Sequence, residues 1–229
     1  MENIKKIIDG KKYSEKFLKQ VYPLSTNFYK KFNRKPCLAV ILVGDNTASG
    51  IYVKNKVYTA EKNGIKSVKV ILSNKVSEAN LLNEILKLNE DQNVDGILVQ
   101  LPLPVHISEK KIIHSINPMK DVDGFHPINF GKLFMGDPNF VPCTPLGCYY
   151  MLKNELKELS GKNAVIIGRS NIVGKPMASL LLASNCSVTI THSKTKNLRE
   201  HCKKADILIS AVGIPEMVDE TYVKHNAII

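Results

Sequence analysis

The sequence lacks any run of about 18 apolar residues, so it predicts no transmembrane helix. The amino terminus, residues 1–10, contains neither the apolar core nor the small-residue cleavage site of a signal peptide. We therefore expect a soluble protein that is not exported and has no membrane partner.

Cysteine and histidine pairs at metal-binding spacing are also missing. The five cysteines are odd in number and include no Cys-x-x-Cys pair, which argues against a disulfide framework and against a zinc site. The six histidines show no His-Glu-x-x-His spacing, so we expect no bound metal. Free thiols suit a reducing compartment, and we predict a cytoplasmic location.

Arginine is scarce, because only Arg34, Arg169 and Arg199 accompany the many lysines behind the net charge of +11. A lysine-biased proteome explains this excess better than a polyanionic partner does. No basic run is interleaved with aromatic residues, and readout of bases favours arginine over lysine. The sequence therefore predicts no nucleic-acid partner, while small anionic ligands are compatible with the charge.

Apolar runs alternate with helical stretches along the first half of the chain. The predicted strands are Leu38–Val43, Val68–Leu72 and Gly96–Leu101. One predicted helix follows the first strand and ends near Gly64, and a second helix runs from Ser77 to about Gln92. Such alternation favours a parallel α/β sheet.

A second series follows a polar segment rich in proline and glycine, 117–145, which we predict to be a hinge. A helix is predicted from Cys148 to about Leu159, and strands at 164–168, 187–191, 207–211 and from Ala227 onward. We predict two α/β domains with a cleft between them: a catalytic, substrate-binding domain over 1–122, and a hinge, linker helix and Rossmann-type dinucleotide-binding domain over 123–229. Because the chain stops in a predicted strand, we expect the natural product to extend past Ile229.

The segment Gly168-Arg-Ser-Asn-Ile-Val-Gly174 lies between a predicted strand and a helix predicted to start near Pro176. Glycines let a backbone approach a pyrophosphate, and a helix N-terminus attracts the anion. We predict that Gly168, Arg169, Ser170 and Gly174 bind a dinucleotide. The spacing differs from Gly-x-Gly-x-x-Gly, so an ordinary strand-to-helix turn is the alternative.

The end of the next strand indicates which dinucleotide is bound. NAD-selective sites place an acidic residue there, whereas this strand is followed by His192, Ser193 and Lys194. These side chains and the planar guanidinium of Arg169 can donate to a 2′-phosphate. The sequence therefore predicts NADP as the cofactor.

A second group of polar residues belongs to the first domain. Tyr52 and Lys56 are four residues apart and share one face of a predicted helix, which for an isolated pair would most simply be a solvated face. Gln100 ends the third strand, and Asp123 lies in the hinge. Carboxyl ends of parallel strands bind ligands, so we expect these residues to converge, with Pro102 shaping the wall and Asp121 capping a turn.

Four motifs, in order and spacing, resemble the methylenetetrahydrofolate dehydrogenase/cyclohydrolase family; they are 52–56, 95–104, 120–127 and 142–147. The similarity spans about 39–229 and continues through 168–176 and 210–213. It implies a homodimer that uses NADP to oxidise 5,10-methylenetetrahydrofolate to the 5,10-methenyl form and then hydrolyses this to 10-formyltetrahydrofolate. The family pattern also includes a Thr-Pro-x-Pro-Gly-Gly segment and a further helix beyond the position of Ile229.

The resemblance also assigns roles to matching residues. It implies that Lys56 acts in the cyclohydrolase step, that Tyr52 orients it and stacks near the pterin, and that Gln100 tunes it. It places Asp123 on the pterin ring. On the nucleotide side it assigns Arg169 and Ser193 to the 2′-phosphate and Gly213 to the nicotinamide side.

The chemistry of the two steps explains why a lysine would be needed. Hydride loss from an N–CH2–N carbon is driven by a nitrogen lone pair, so positioning is sufficient in principle. Hydrolysis differs, because the attacking water loses a proton and a ring nitrogen gains one. A cationic substrate disfavours the ammonium form of a neighbouring lysine, which makes Lys56 the candidate acid/base group.

Two other interpretations compete with this one. Short-chain dehydrogenases also use Tyr-x-x-x-Lys, but in that class the glycine turn precedes the pair, whereas here Tyr52 precedes Gly168. A non-catalytic nucleotide-binding module, or an inactive truncated relic of the enzyme, is the alternative from a different class.

Overall fold

The structure is a computed structural model that describes residues 7–229, and it divides into two compact units, one ending at Pro127 and the other spanning Ile128–Ile229. The division falls inside the predicted hinge segment. The predicted domain bounds, 1–122 and 123–229, stay a prediction. Among the residues described, no helix is long and apolar enough to cross a membrane.

Helices and strands alternate in the first unit after a long amino-terminal helix. In chain order they are α1 (Gly10–Phe32), β1 (Cys37–Val43), α2 (Thr47–Lys62), β2 (Lys66–Leu72), α3 (Glu78–Glu90), β3 (Gly96–Val99) and α4 (Glu109–Ser115). The strands form a parallel sheet in the order β2-β1-β3, which confirms the predicted parallel α/β arrangement.

The central strand β1 is apolar on both faces, because each face is covered by helices. On one face Ala39 and Ile41 pack with residues of α3 and α4, and on the other Val40 and Leu42 pack with Val53 and Val57 of α2. This explains the uninterrupted apolar run in the sequence. It also fixes one face of α2 against the sheet.

The ends of α2 and α3 follow the predicted signals. Asn46 accepts a hydrogen bond from the backbone N–H of Ser49 at the start of α2, and Ser77 accepts one from Asn80 at the start of α3. After α2, Gly64 has φ +78°, and a Cβ there would lie 2.7 Å from Ser25 Oγ of α1. Glycine is therefore required by both the backbone conformation and the close packing of α1.

The second unit has the same alternation. Its elements are α5 (Pro127–Phe134), α6 (Cys143–Glu155), β4 (Asn163–Ile167), α7 (Gly174–Ala183), β5 (Ser187–Thr191), α8 (Leu198–Cys202), β6 (Ile207–Ser210) and a 3₁₀ turn at Glu220–Tyr222. The parallel strand order is β5-β4-β6. Ala164 and Ile166 pack on α6 and α7, while Val165 and Ile167 pack toward α8.

Several predicted bounds are wrong. β3 ends at Val99 rather than Leu101: the Gln100 N–H still donates to Ile41 O at 2.9 Å, but Pro102 two residues later has no N–H with which to continue the ladder. Helix α6 begins at Cys143 rather than Cys148, and α7 at Gly174 rather than Pro176. In both helices a proline lies in the first turn, where a missing N–H costs no helical hydrogen bond.

Other differences concern whole elements. The strand predicted from Ala227 is a single parallel bridge between Ile207 and Ile228. Helices α1, α4 and α5 were not predicted, and α5 lies inside the segment predicted as a hinge. Only Ser25 of α1 is buried, although the apolar residues of this helix recur at helical spacing.

Candidate functional site

Lys56 and Gln100 meet in the first unit, as predicted. Lys56 Nζ donates to Gln100 Oε1 at 3.1 Å, and Gln100 Nε2 donates to the carbonyl oxygen of Leu101 at 2.7 Å. The second bond fixes the amide with its oxygen towards the lysine. Val53 and Val57 are buried against the sheet, so the half-buried Lys56 on the same helix is held beside it.

Asp123 reaches the same region through an added strand-like segment. The backbone N–H of Ile97 donates to the carbonyl of Lys120 at 2.7 Å, and Ile97 pairs with Asp121 in a parallel bridge. Asp123 follows two residues later, in a turn that the Gly124 N–H closes on the Asp121 carbonyl at 3.2 Å. The bridge to β3 therefore fixes the start of the turn that contains Asp123.

The electrostatics of Asp123 agree with this placement. Burial raises the pKa of the Asp123 carboxyl to about 6, the positive charge of Lys56 acts in the opposite direction, and the neighbouring Asp121 raises the pKa further. Lys56 is thus within electrostatic range of Asp123. The Lys56 amine, the Gln100 amide and the Asp123 carboxyl together form the polar group around Lys56.

Asp121 has the capping contacts predicted for it. Its side chain is 1% exposed, and its two carboxylate oxygens accept from the backbone N–H groups of Phe125 at 3.3 Å and His126 at 2.8 Å. Both oxygens are therefore engaged within the loop. Of the two acids in the motif, Asp123 is the one whose pKa the charge of Lys56 lowers.

Tyr52 and Pro102 lie nearby but are more exposed. Tyr52 is one helical turn before Lys56 on α2 and is 63% exposed. Pro102 is exposed and follows Gln100 by two residues, after a cis peptide bond with Leu101. An exposed aromatic ring one turn from the lysine is compatible with stacking on a planar ligand.

A separate apolar hollow of about 370 Å³ lies between α2 and β2. None of the predicted site residues lines it. Its walls are Leu42, Gly50, Val53, Lys54, Val57, Tyr58, Glu61, Lys69 and Ile71. Since it contains no part of the polar group around Lys56, we do not assign the chemistry to it.

The glycine turn of the second unit requires glycine at both of its ends. Gly168 has φ +115°, and a Cβ there would lie 2.4 Å from the carbonyl oxygen of Ala211. A Cβ at Gly174 would lie 2.2 Å from the carbonyl oxygen of Gly168. The turn therefore folds back on itself, which accounts for its five intervening residues.

The Ser170 hydroxyl binds backbone N–H groups at the end of this turn. Its Oγ accepts from the backbone N–H groups of Val173 at 3.1 Å and Gly174 at 3.3 Å. The hydroxyl still has its own proton to donate. Ser170 thus closes the turn and keeps one donor for a ligand oxygen.

Three strand ends meet beside the turn. Gly168 N donates to Thr191 O at 2.9 Å and Ala211 N donates to Ile167 O at 2.8 Å, so β5, β4 and β6 end in register. Arg169, Ser193 and Gly213 follow these ends and are all exposed. Gly213 has φ +63°, a conformation that favours glycine. The predicted nucleotide residues thus share one edge of the sheet.

The loop after β5 is a closed turn. His192 N donates to Thr195 Oγ1 at 2.9 Å, and Thr195 N donates to His192 O at 2.8 Å. Lys194 N donates to His192 Nδ1 at 3.2 Å, which leaves the ring proton on Nε2. Thr195, which the sequence did not single out, therefore holds the loop that presents Ser193 and Lys194.

Fold and sites together define a two-unit α/β protein with a polar cluster on one sheet and a dinucleotide-type turn on the other. Residues 8–123 match the family described as tetrahydrofolate dehydrogenase/cyclohydrolase, catalytic domain, and residues 142–229 match its NAD(P)-binding domain. The chain belongs to the tetrahydrofolate dehydrogenase/cyclohydrolase family. The resemblance seen in the motifs is thereby confirmed.

Relatives and solved structures agree with this membership. The chain is 51% identical over 223 residues to the bifunctional protein FolD of Pelagibacter ubique, covering 97% of this chain and 79% of that protein. It is similar to the FolD crystal structure from Campylobacter jejuni, with 47% identity, a TM-score of 0.92, and 96% and 78% of the two chains covered. A Trypanosoma brucei FolD structure, complexed with NADP and an inhibitor, is 32% identical with a TM-score of 0.91, covering 96% and 75%.

Proposed function

We propose that this protein oxidises 5,10-methylenetetrahydrofolate to the 5,10-methenyl form with NADP and hydrolyses the product to 10-formyltetrahydrofolate. The observation that carries the proposal is the 3.1 Å contact between Lys56 and Gln100, with Asp123 in electrostatic range. The names of relatives, bifunctional FolD and methylenetetrahydrofolate dehydrogenase/cyclohydrolase, support both activities.

In the oxidation step the residues of the chain position the substrate. A nitrogen lone pair drives hydride loss from the N–CH2–N carbon, so no side chain has to take a proton from carbon. NADP, when bound, supplies the hydride acceptor. Asp123 is suited to accept hydrogen bonds from pterin N–H groups, and Tyr52 offers an exposed ring for stacking.

In the hydrolysis step Lys56 transfers protons. Water that attacks the methenyl carbon must lose a proton, and the ring nitrogen must gain one before the C–N bond breaks. Gln100 holds the Lys56 nitrogen at 3.1 Å without adding a charge, so the amide orients the amine and does not neutralise it. Asp123 binds the pterin and is not needed as the acid/base group.

Residues at the sheet edge of the second unit fit NADP. The Gly168–Gly174 turn brings backbone close to a ligand, and Ser170 and His192 each have a donor left for phosphate oxygens. We assign Arg169 and Ser193 to the 2′-phosphate, because a guanidinium binds phosphate through two parallel hydrogen bonds. Gly213 is assigned to the nicotinamide side.

Assembly and location are parts of the same proposal. We infer a homodimer from the resemblance to the family, and a cytoplasmic location from free thiols such as the buried Cys37, Cys186 and Cys202. Light scattering of the purified protein tests the dimer. A mass of one chain would reject it.

The assay that tests the proposed function follows the absorbance of methenyltetrahydrofolate during incubation of the purified protein with methylenetetrahydrofolate. We expect formation with NADP and a lower rate with NAD, followed by decay of the methenyl signal faster than in buffer. No formation with either cofactor would reject the dehydrogenase activity. Decay at the buffer rate would reject the cyclohydrolase activity.

A further inference from the structure

Lys120, the first residue of the motif that contains Asp123, is bound entirely to the protein backbone. Its ammonium donates to the carbonyl oxygens of Leu88 at 2.9 Å, Asn89 at 2.7 Å and Asp91 at 2.8 Å. An ammonium has three donors, and all three are used. These carbonyls belong to the last turn of α3 and the residue after it, where unpaired carbonyls and the helix dipole attract a cation.

We propose that Lys120 is a positioning residue for the folate site, acting through the backbone segment that it ties to α3 and that carries Asp123. Lys120 itself does not touch the substrate in this proposal. The inference rests on the proposed function, since it assumes that Asp123 binds the pterin.

Further contacts of three residues fix the segment between Lys120 and Asp123. The Lys120 carbonyl accepts a hydrogen bond from Ile97 N at 2.7 Å, so the backbone and the side chain of Lys120 are both bound. Asp121 is buried and accepts two backbone N–H groups within its own loop. Val122 packs so closely on β3 that a Cβ at Gly96 would lie 2.4 Å from Val122 Cγ1.

Each of these contacts acts on a neighbour of Asp123, while the Asp123 carboxyl is within electrostatic range of Lys56. Lys56 on α2 and Asp121 on the same segment are the charged groups that act on the Asp123 carboxyl. The position of Asp123 is therefore set by the segment before the substrate arrives. Displacements of about 1 Å in a reacting site can cost on the order of a hundredfold in rate.

The test replaces Lys120 by methionine, which keeps an unbranched side chain, one atom shorter, but removes the three donors. A matched control is Lys87→Met, since Lys87 also lies in the last turn of α3 but is exposed and bonds to the side chain of Glu84, at 2.6 Å. KM for methylenetetrahydrofolate, KM for NADP and kcat are measured for both variants, together with the pH dependence of the folate KM.

Lys120→Met is expected to raise the folate KM roughly tenfold or more, and to change the NADP KM by less than about twofold. The pH at which the folate KM changes should also be lower in this variant than in the unmodified protein, because a loosened segment exposes Asp123 to water and lowers its pKa. Lys87→Met is expected to leave both constants unchanged.

Lys120→Arg keeps a cation at the end of α3 and serves if the methionine variant does not fold. A planar guanidinium cannot direct three N–H groups at the same three carbonyls, so the folate KM should again rise selectively. A folate KM equal to that of the unmodified protein in the arginine variant, or equal losses for folate and NADP in the methionine variant, would overturn the positioning role. Inactivity of the unmodified protein would instead reject the proposed function.

Discussion

Asp123 is held in an environment that opposes its charge, and Asp123→Asn should therefore stabilise the protein at neutral pH. Burial raises the pKa of this carboxyl from 3.8 to about 6. A raised carboxyl pKa means that the folded state holds a proton more tightly than the unfolded state. The stability contributed by the protonated form is fully present below about 3.8 and is lost as the pH rises through about 6.

The magnitude follows from the shift. A difference of roughly 2 pKa units corresponds to about 3 kcal/mol across the whole titration, since one unit is about 1.4 kcal/mol. Between about pH 4.5 and pH 8 only part of the titration is sampled, and the partial exposure of Asp123 reduces the effect further. We expect the stability gain from Asp123→Asn to be about 1 to 2 kcal/mol larger near pH 8 than near pH 4.5.

Urea denaturation of both proteins at these two pH values measures this difference. In the difference between the two pH values, any contribution of asparagine contacts that does not depend on pH cancels from the free energy of unfolding. A gain of the same size at both values, or a larger gain at the acidic value, would refute the burial argument. The asparagine variant should also bind folate more weakly, because an amide offers one acceptor oxygen where the carboxylate offers two.

Two further predictions concern the second unit. Arg169→Ala should weaken NADP binding by about 1.5 to 3 kcal/mol and leave NAD little changed, as measured by titration with each cofactor, and equal losses would reject the 2′-phosphate assignment. Gly174→Ala should destabilise the protein by roughly 1 to 3 kcal/mol, because its Cβ would lie 2.2 Å from Gly168 O. Gly147→Ala, whose Cβ meets nothing within 4 Å, is the control, and similar thermal shifts for both would contradict the close-packing argument.

Much of the fold was predictable because its central strands are buried on both faces. Apolar runs such as the one in β1 stand out in a sequence, and caps such as Ser77 mark helix starts. Helix α1 was not predicted, although its apolar residues recur at helical spacing. The start of α6 was misplaced because Pro145 looks like a helix breaker, although the first turn tolerates proline.

The candidate site is built from contacts between residues that are far apart in the sequence, and the spacing of motifs does not reveal such contacts. The contact of Lys56 with Gln100 could be expected, since one lies on the helix after β1 and the other at the end of β3. The hydrogen bonds of Lys120 to the backbone could not be expected, because the sequence around a lysine in a loop does not indicate three carbonyl partners about thirty residues earlier. The closed turn at Thr195 likewise depends on backbone geometry.

The central claim is that Lys56 transfers the protons of hydrolysis and is not needed in that role for hydride transfer. Lys56→Met is assayed for both activities, with Lys54→Met, an exposed lysine on the same helix, as the matched control. We predict that hydrolysis of methenyltetrahydrofolate falls by about 10² to 10⁴ while NADP-dependent oxidation stays measurable, and that the control keeps both activities. Hydrolysis by Lys56→Met at the rate of the unmodified protein would contradict the account.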